Sequence, residues 1–441
     1  MTYKPFLLAL SLFASADSHA NLELTLKTHR TMKPPKGVIK LTEEPREVRQ
    51  TVRVTLGTDY VMADDGETTV IHDFAKRRVF TIDQKKKRLD DVSLFATVGG
   101  RVVELDNRIF LGQVAANSKV GQEHFALPLA EHELSLHRSD MPASKLDAKT
   151  TGGEYRHSWN HKELMAWSVE THAVTPLERD AFVRFVRHRF GGHPEVLATL
   201  QRIDGIPKRL RISKPAWGET TRIDVSEVRN TPDAPYPPIE AKEVIDDAEM
   251  AAVVAVVHAA TPESRKETRD AIVAEAVRAA EANQLLAAYL GFLEVSLMTD
   301  EPPPVEFIAY RDRFETDADT RAFLDIEPKS EEEAKAAVAT LGRLQLVAQR
   351  KAYVAGIMRA NHQQNLGDHE AAFRNYRSAL KANPLLTGVW KDYGQLLLHR
   401  YQADEAWHCW DTARKIAPQH PLMNDIDELE ARLLQQNPGY F

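Results

Sequence analysis

Two pairs of histidines carry spacings that suggest chemistry. His157 and His161 are four apart, the separation that on a helix aims two imidazoles at one metal ion. They fall on an alternating stretch and its turn, so their rings should diverge. His188 and His193 straddle Gly191-Gly192 at a helix end, which places them on a loop rather than on one ligating face. Lys85-Lys86-Lys87-Arg88 is a basic run at a hairpin tip; it suits anionic head groups or is simply a solvated turn. Arg184, Arg187 and Arg189 read as a wet basic edge. Trp159 and Trp167 read as core packing rather than a ligand cage. No HExxH, GxSxG, Walker loop or GxGxxG is present, and Gly99-Gly100 and Gly152-Gly153 read as turns or bulges. The single cysteine, Cys409, excludes an internal disulfide and a cysteine-based zinc or iron–sulfur site, and its helical apolar surroundings point to burial. The residues therefore assign no catalytic group, no cofactor and no metal.

What remains is architecture. At 441 residues, 43% hydrophobic and 27% charged, the chain exceeds one ordinary core. A net charge of −7 argues against a nucleic-acid partner. Residues 1–20 have the layout of a signal peptide: Lys4, an apolar run from Phe6 to Ala16, and Ser18-His19-Ala20 before a cut after Ala20. The mature chain is thus expected to be periplasmic or secreted. No cysteine follows the apolar run to take a lipid, and no later stretch approaches the length of a transmembrane segment.

Composition divides the mature chain near residue 235. Residues 21–230 hold 34 Lys+Arg against 29 Asp+Glu, and residues 231–441 hold 22 against 34. Between the halves, in 231–239, Pro232, Pro235, Pro237 and Pro238 make a short stiff linker. In the first half, Thr51–Leu56, Thr69–His72 and Arg78–Ile82 alternate with period two, which predicts half-buried strands. Asp64-Asp65-Gly66, Asp73–Lys76 and Asp83–Lys86 supply turns, giving an antiparallel meander. A second hairpin runs from Gly153 to Trp159 and from Glu163 to Val169, and strands at 209–213 and 221–228 close the region. Thr175-Pro176-Leu177-Glu178 is a capping box opening a helix that Gly191-Gly192 ends; Leu177, Ala181, Phe182, Phe185 and Val186 share a face. A curved sheet with this helix across its open side accounts for the order. The cadence of Tyr60–Asp73, Arg78–Lys87, Thr151–Tyr155 and Trp167–Val169 resembles the exported LolA/LolB-type β half-barrels over roughly residues 22–230. That resemblance implies an apolar cavity for acyl chains, but no lipid-contacting residue transfers.

From residue 240 onward the chain is rich in Ala, Glu, Leu and Arg, which predicts helices over 240–350. Thr261-Pro262 opens one, Pro302-Pro303-Pro304 breaks the series, and Ser330–Glu333 reads as a second capping box. Residues 351–441 match themselves at a period of 34: Ala372 with Ala406, Tyr376 with Trp410, Ala379 with Ala413, Pro384 with Pro418. The second copy opens Trp390-x-x-Tyr393-Gly394-x-x-Leu397. This is similar to the tetratricopeptide repeat, which implies helix hairpins at about 353–386 and 387–420 and a groove for a protein segment. Gly356, Arg359 and Ala360 depart from the pattern in the first copy. Tyr401 replaces the turn glycine Gly367 in the second. Helices near 331–350 and 421–436 should cap the pair.

The fold expected is therefore α+β and multi-domain: a curved antiparallel half-barrel with a covering helix, then an all-α repeat region. The function expected is a non-catalytic exported binding protein. Its helical groove takes a protein, and its sheet takes an apolar ligand or a lipidated partner. An envelope hydrolase with acid–base groups on the β-half loops, and a structural scaffold of an envelope assembly, are the alternatives.

Overall fold

The computed structural model describes residues 21–33, 46–118, 125–138, 141–245 and 247–441, so the expected leader at 1–20 lies outside it. The chain is α+β: one large antiparallel sheet precedes a region of many helices.

Alternation builds the sheet. β1 (Asn21–Met32) buries Leu22, Leu24 and Leu26 on one face, and β2 (Glu47–Leu56) buries Val52, Val54 and Leu56 beside them. The meander continues through β3 (Tyr60–Asp64), β4 (Thr68–Asp73), β5 (Arg78–Asp83) and β6 (Arg88–Ser93). Its turns close as their aspartates dictate. Asp65 Oδ1 accepts from the Glu67 and Thr68 amides, and Asp83 Oδ1 from those of Lys85 and Lys86. Next come α1 (Leu94–Ser118) and α2 (Leu127–Leu134), then β7 (Asp147–Thr151), β8 (Glu154–Trp159), β9 (Lys162–Ser168) and β10 (Thr171–His172). α3 (Pro176–Phe190), α4 (Pro194–Leu200), β11 (Ile206–Pro207), β12 (Arg209–Lys214), β13 (Glu219–Thr231) and β14 (Lys242–Glu243) complete this half. Twelve strands share one sheet in the order β14-β6-β5-β4-β3-β2-β1-β13-β12-β9-β8-β7. The long strands β1 and β13 pair at its centre, from Asn21↔Thr231 to Met32↔Glu219.

The predicted covering helix is α3, with both halves of its capping box formed. Phe182, Phe185 and Val186, joined by Val196, Leu197 and Leu200 of α4, fill the inner face over β1 and β2. Leu177, expected on that face, is 66% exposed because it sits in the first turn, beyond the sheet.

The proline segment lies along the sheet as a strap. The Ala234 carbonyl accepts from Asn21 Nδ2 (2.8 Å) and Tyr60 Oη (2.9 Å). Tyr236 packs edge-on against Tyr60 and donates to Asp73. Ile239 and Ala241 cover Phe80 and Ile82.

The helices that follow are α5 (Ala248–Ala259), α6 (Pro262–Glu281), α7 (Leu285–Met298), α8 (Val305–Thr316), α9 (Ala318–Leu324) and α10 (Glu331–Val347). After them come α11 (Ala352–Asn365), α12 (His369–Ala382), α13 (Thr387–His399), α14 (Ala403–Ile416) and α15 (Asn424–Gln436). Thr261 caps α6 as expected. Ser330 caps α10, but the Glu333 carboxylate turns to the Lys329 amide instead of closing the box.

One correction concerns Gly99-Gly100, which form neither a turn nor a bulge. Both lie inside α1, a helix of 25 residues. A side chain at Gly99 would collide with the Trp407 indole, and one at Gly100 would press on Ala403 at 3.0 Å. The two glycines let α14 approach α1, so the core of the last helices continues into Phe95, Ala96, Val98 and Leu105 of the first half. Among the described residues, no helix is long and apolar enough to cross a membrane.

Candidate functional site

Three places merit comparison as sites: the helical hairpins, the inner face of the sheet, and a buried titratable cluster.

The hairpins come first because the period-34 residues lie there. Ala372, Tyr376 and Ala379 fall on α12, and Ala406, Trp410 and Ala413 on α14, all at most 1% exposed. Small residues let each helix close on its partner, and the aromatic rings fill the space between. Gly394 on α13 faces the Trp410 ring, and Trp410 Nε1 donates to the Lys391 carbonyl (3.0 Å). Trp390 donates to the Pro384 carbonyl (2.8 Å), fixing the passage between hairpins; Pro418 follows α14 at the surface. Tyr376 Oη donates to Asn361 Oδ1 (2.6 Å). The departures also have causes. A Cβ on Gly356 would crowd Gln345 of α10, and Arg359 donates to the same side chain (3.0 Å). α10 is therefore close enough to exclude a bulky residue in the first copy.

Gly367 and Tyr401 hold equivalent turn positions and both have positive φ, +78° and +62°. That backbone region strains a tyrosine but not glycine. Tyr401 is 58% exposed, so its ring loses little packing on removal. Tyr401→Gly is expected to raise stability by about 1 kcal/mol, read as a higher urea midpoint with unchanged slope.

α7 covers the opening turns of α11 and α13. Leu290 clusters with Val354, Leu297 meets Gly388, and Thr387 Oγ1 donates to the Met298 carbonyl (3.0 Å). Glu294, 1% exposed, accepts from Lys351 (2.7 Å), Tyr353 (2.5 Å) and Asn383 (2.6 Å). These donors come from the turn leading into α11, the first turn of α11 and the turn before α13, so the pair is keyed to α7. Asn361, Gln364, Gln395 and Leu398, on later turns, remain half-buried. At the far side, Trp407 donates to Glu430 of α15 (2.9 Å), and Arg414 pairs with Asp427 and Glu430. α10 and α15 thus flank the pair, and α1 covers it from the first half of the chain.

The inner face of the sheet is occupied by α3 and α4. Beyond them lies a recess of about 300 Å³, lined by groups such as Thr28, Gln50, Arg189, Lys214 and Glu219. Val52, Phe190 and Ile212 also line it, and Lys214 pairs with Glu219 (3.2 Å).

The titratable cluster was not anticipated. Glu131 of α2 is completely buried. Its Oε1 accepts from His137 Nδ1 (2.6 Å), and its Oε2 accepts from Ser144 Oγ (2.6 Å) and His193 Nε2 (3.1 Å). Burial raises its affinity for a proton, but the donors from His193, Ser144 and His137 outweigh this and hold the carboxyl below its usual range. His132 beside it donates to the Ser213 carbonyl (2.9 Å) and accepts from the His193 amide (2.9 Å). Burial lowers its pKa to about 3, so it stays neutral. Gly191, at φ +87°, permits this approach, since a Cβ there would meet the Glu133 carbonyl at 2.9 Å. His137 borders a recess of about 330 Å³ shared with Asp106, Arg138 and Asn437, and Ser144 is half-buried. These contacts close on one another, and no group of three metal-ligating side chains occurs among the described residues. Nothing in the local sequence flagged Glu131, because its partners stand 6, 13 and 62 positions away. Glu131→Gln leaves one acceptor oxygen for three donors and is expected to cost about 2 kcal/mol, measured by urea unfolding at pH 7.5.

The remaining singled-out residues are placed as follows. His157 is buried against the Trp167 ring (5.0 Å), and His161 sits in the turn at φ +62°, so the pair diverges. His188 donates to the Tyr440 carbonyl while His193 serves Glu131. Trp167 is core and Trp159 is half-buried. Lys85–Lys87 are exposed at a hairpin tip. The expected wet edge of arginines requires correction. Arg184 lies over Phe74 (4.5 Å) and Arg187 over Tyr440 (5.3 Å), and only Arg189 is exposed. Their apolar stems and flat guanidinium faces pack on aromatic rings, which a helical-wheel reading of charge does not reveal. Cys409 is buried, and burial pushes its thiol up.

No known family model matches the chain, and no curated protein matches it in sequence.

Proposed function

We propose that the chain is a non-catalytic binding protein of the cell envelope. The paired hairpins are tetratricopeptide repeats that present a surface to a protein segment. The sheet, laid out like a LolA/LolB half-barrel, is the rigid mount that carries them. The observation that carries this reading is the stack itself: two hairpins with small-to-large packing at one period, keyed by α7 and seated on α1 through Gly99 and Trp407. The filled inner face supports a mount rather than a carrier. Phe182, Phe185 and Leu197 stand where an acyl chain would lie, and the small recess beyond them mixes charged groups such as Arg189, Lys214 and Glu219 with apolar ones such as Val52 and Ile212. The groups around Glu131 spend their hydrogen bonds on one another.

α7 leaves the later turns of α11 and α13 for the partner. A photo-crosslinking residue at Gln364 or Gln395 should therefore give one discrete adduct in cells exporting the chain. The same residue at exposed Arg374, on α12, should give none. Equal labelling at all three positions would remove the groove assignment. A stoichiometric acyl lipid in protein purified without detergent would replace the mount by a carrier. Hydrolysis of model esters that is lost in His137→Asn would replace it by an enzyme.

A further inference from the structure

Five residues at the end of the described chain are held in a pocket that belongs to the other half. Asn437–Phe441 leaves α15 and turns back against α1, α2 and α3. Tyr440 is 0% exposed. Two guanidinium groups pack against its ring, Arg101 at 5.2 Å and Arg187 at 5.3 Å from the centroid. Its hydroxyl accepts from Arg101 (2.8 Å) and donates to the Leu134 carbonyl (2.5 Å). Its own carbonyl accepts from His188 Nε2 (3.0 Å). Each neighbour is also read. A Cβ on Gly439 would meet the Arg187 guanidinium at 2.8 Å, and Phe441 packs on Phe95 (5.0 Å).

The walls are unusual without this occupant. Arg101, Arg184, Arg187, His72 and His188 converge there, and the electrostatic neighbours of Arg187 are two further arginines and Tyr440. Arg187 Nε and His188 Nδ1 are buried without a partner. His72 and His188 are neutral, so the charge there is that of the three arginines, with Asp180 and Asp59 acting only on Arg184. An electron-rich ring and a phenol oxygen among them offset the cost of burying Arg101 and Arg187. The segment is held both by directed polar contacts around the Tyr440 ring and by packing of Tyr440 and Phe441 on the core that includes Phe95.

We propose that Arg101, Arg187, His188 and the Leu134 carbonyl form a peptide-binding site for a Gly-Tyr-aromatic segment, occupied here by the chain's own Asn437–Phe441. The site is separate from the helical groove assigned to a partner above.

The test uses the full chain with a protease site inserted after Gln436 and cut once the protein has folded. After dialysis, a fluorescein-labelled Asn-Pro-Gly-Tyr-Phe peptide should rebind saturably with a micromolar Kd by anisotropy. Alanine in place of its tyrosine should weaken binding at least tenfold, as should Arg187→Ala in the protein. No saturable binding to a cut chain that keeps the circular dichroism of the intact one overturns the site, as does equal binding of the alanine peptide. If the cut chain unfolds, the uncut chain decides. With fluorophenylalanine at Phe441, millimolar free peptide should move the fluorine line to its solvent position, and the alanine peptide should not. An unmoved line overturns the exchangeable site.

Discussion

Trp407→Ala should destabilise the protein by about 3–5 kcal/mol and separate the unfolding of its two halves. Trp407 is fully buried between elements remote in sequence. Its indole lies on Gly99 of α1 and 4.6 Å, edge-on, from Trp410 of α14, and its Nε1 donates to Glu430 of α15. Truncation removes the indole that packs on α1 across the seam and leaves a cavity that the two glycines of α1 cannot fill, because they have no side chains to relax into it. Glu430 keeps Arg414 as a partner, so most of the effect is lost packing rather than a stranded carboxylate. The intact chain should unfold the sheet and the last helices together. In the variant, amide exchange across α13 and α14 should accelerate well before that of β1 and β13. A loss under about 1 kcal/mol, or unchanged relative protection, would mean that the seam does not join the halves.

That seam also shows where sequence reasoning stops. The strands were legible because Val52, Val54 and Leu56, or Val79, Phe80 and Ile82 with their aspartate turns, declare period and boundary locally. The hairpins were legible because a repeat states its contacts twice. α1 was not. Leu94-Phe95-Ala96-Thr97-Val98-Gly99-Gly100 mixes β-branched residues with paired glycines, a poor helix by propensity. It is helical because Ala96, Gly99 and Gly100 make a flat side onto which Trp407 and Ala403 pack, more than 300 positions away. The Glu131 cluster and the Tyr440 pocket were hidden for the same reason. Each is assembled from single residues on separate elements, so neither has a spacing to detect.

The second large effect is acid sensitivity. His72, His132 and His188 are held neutral, each chiefly by burial: His72 is lowered to about 4, His132 to about 3, and His188 lies well below its ordinary value. Neighbouring Arg101 adds to the effect on His72 and His188. In the unfolded chain these rings take a proton near pH 6.5. Below that pH the unfolded state binds more protons than the folded one, so stability falls with pH until the folded values are reached. Each ring contributes about 1.4 kcal/mol per pH unit once its unfolded form is fully protonated, so three give about 6 kcal/mol between pH 7.5 and 5, most of it below pH 6.5. Glu131, whose folded value lies below the unfolded one, adds a further loss only as pH drops through the carboxylate range. Asp392, Asp404 and Glu430 are raised mainly by burial and act in the opposite sense, taking protons first in the folded state and blunting the decline at its acidic end. Urea unfolding at pH 7.5, 6 and 5 should therefore show a fall that steepens towards a slope of about three protons. His188→Gln, whose amide can still donate to the Tyr440 carbonyl, should cost little at pH 7.5 and reduce that slope by about one proton. Stability that does not change from pH 7.5 to 5, or a His188→Gln variant with the parental slope, would mean that these rings are not kept neutral by the fold.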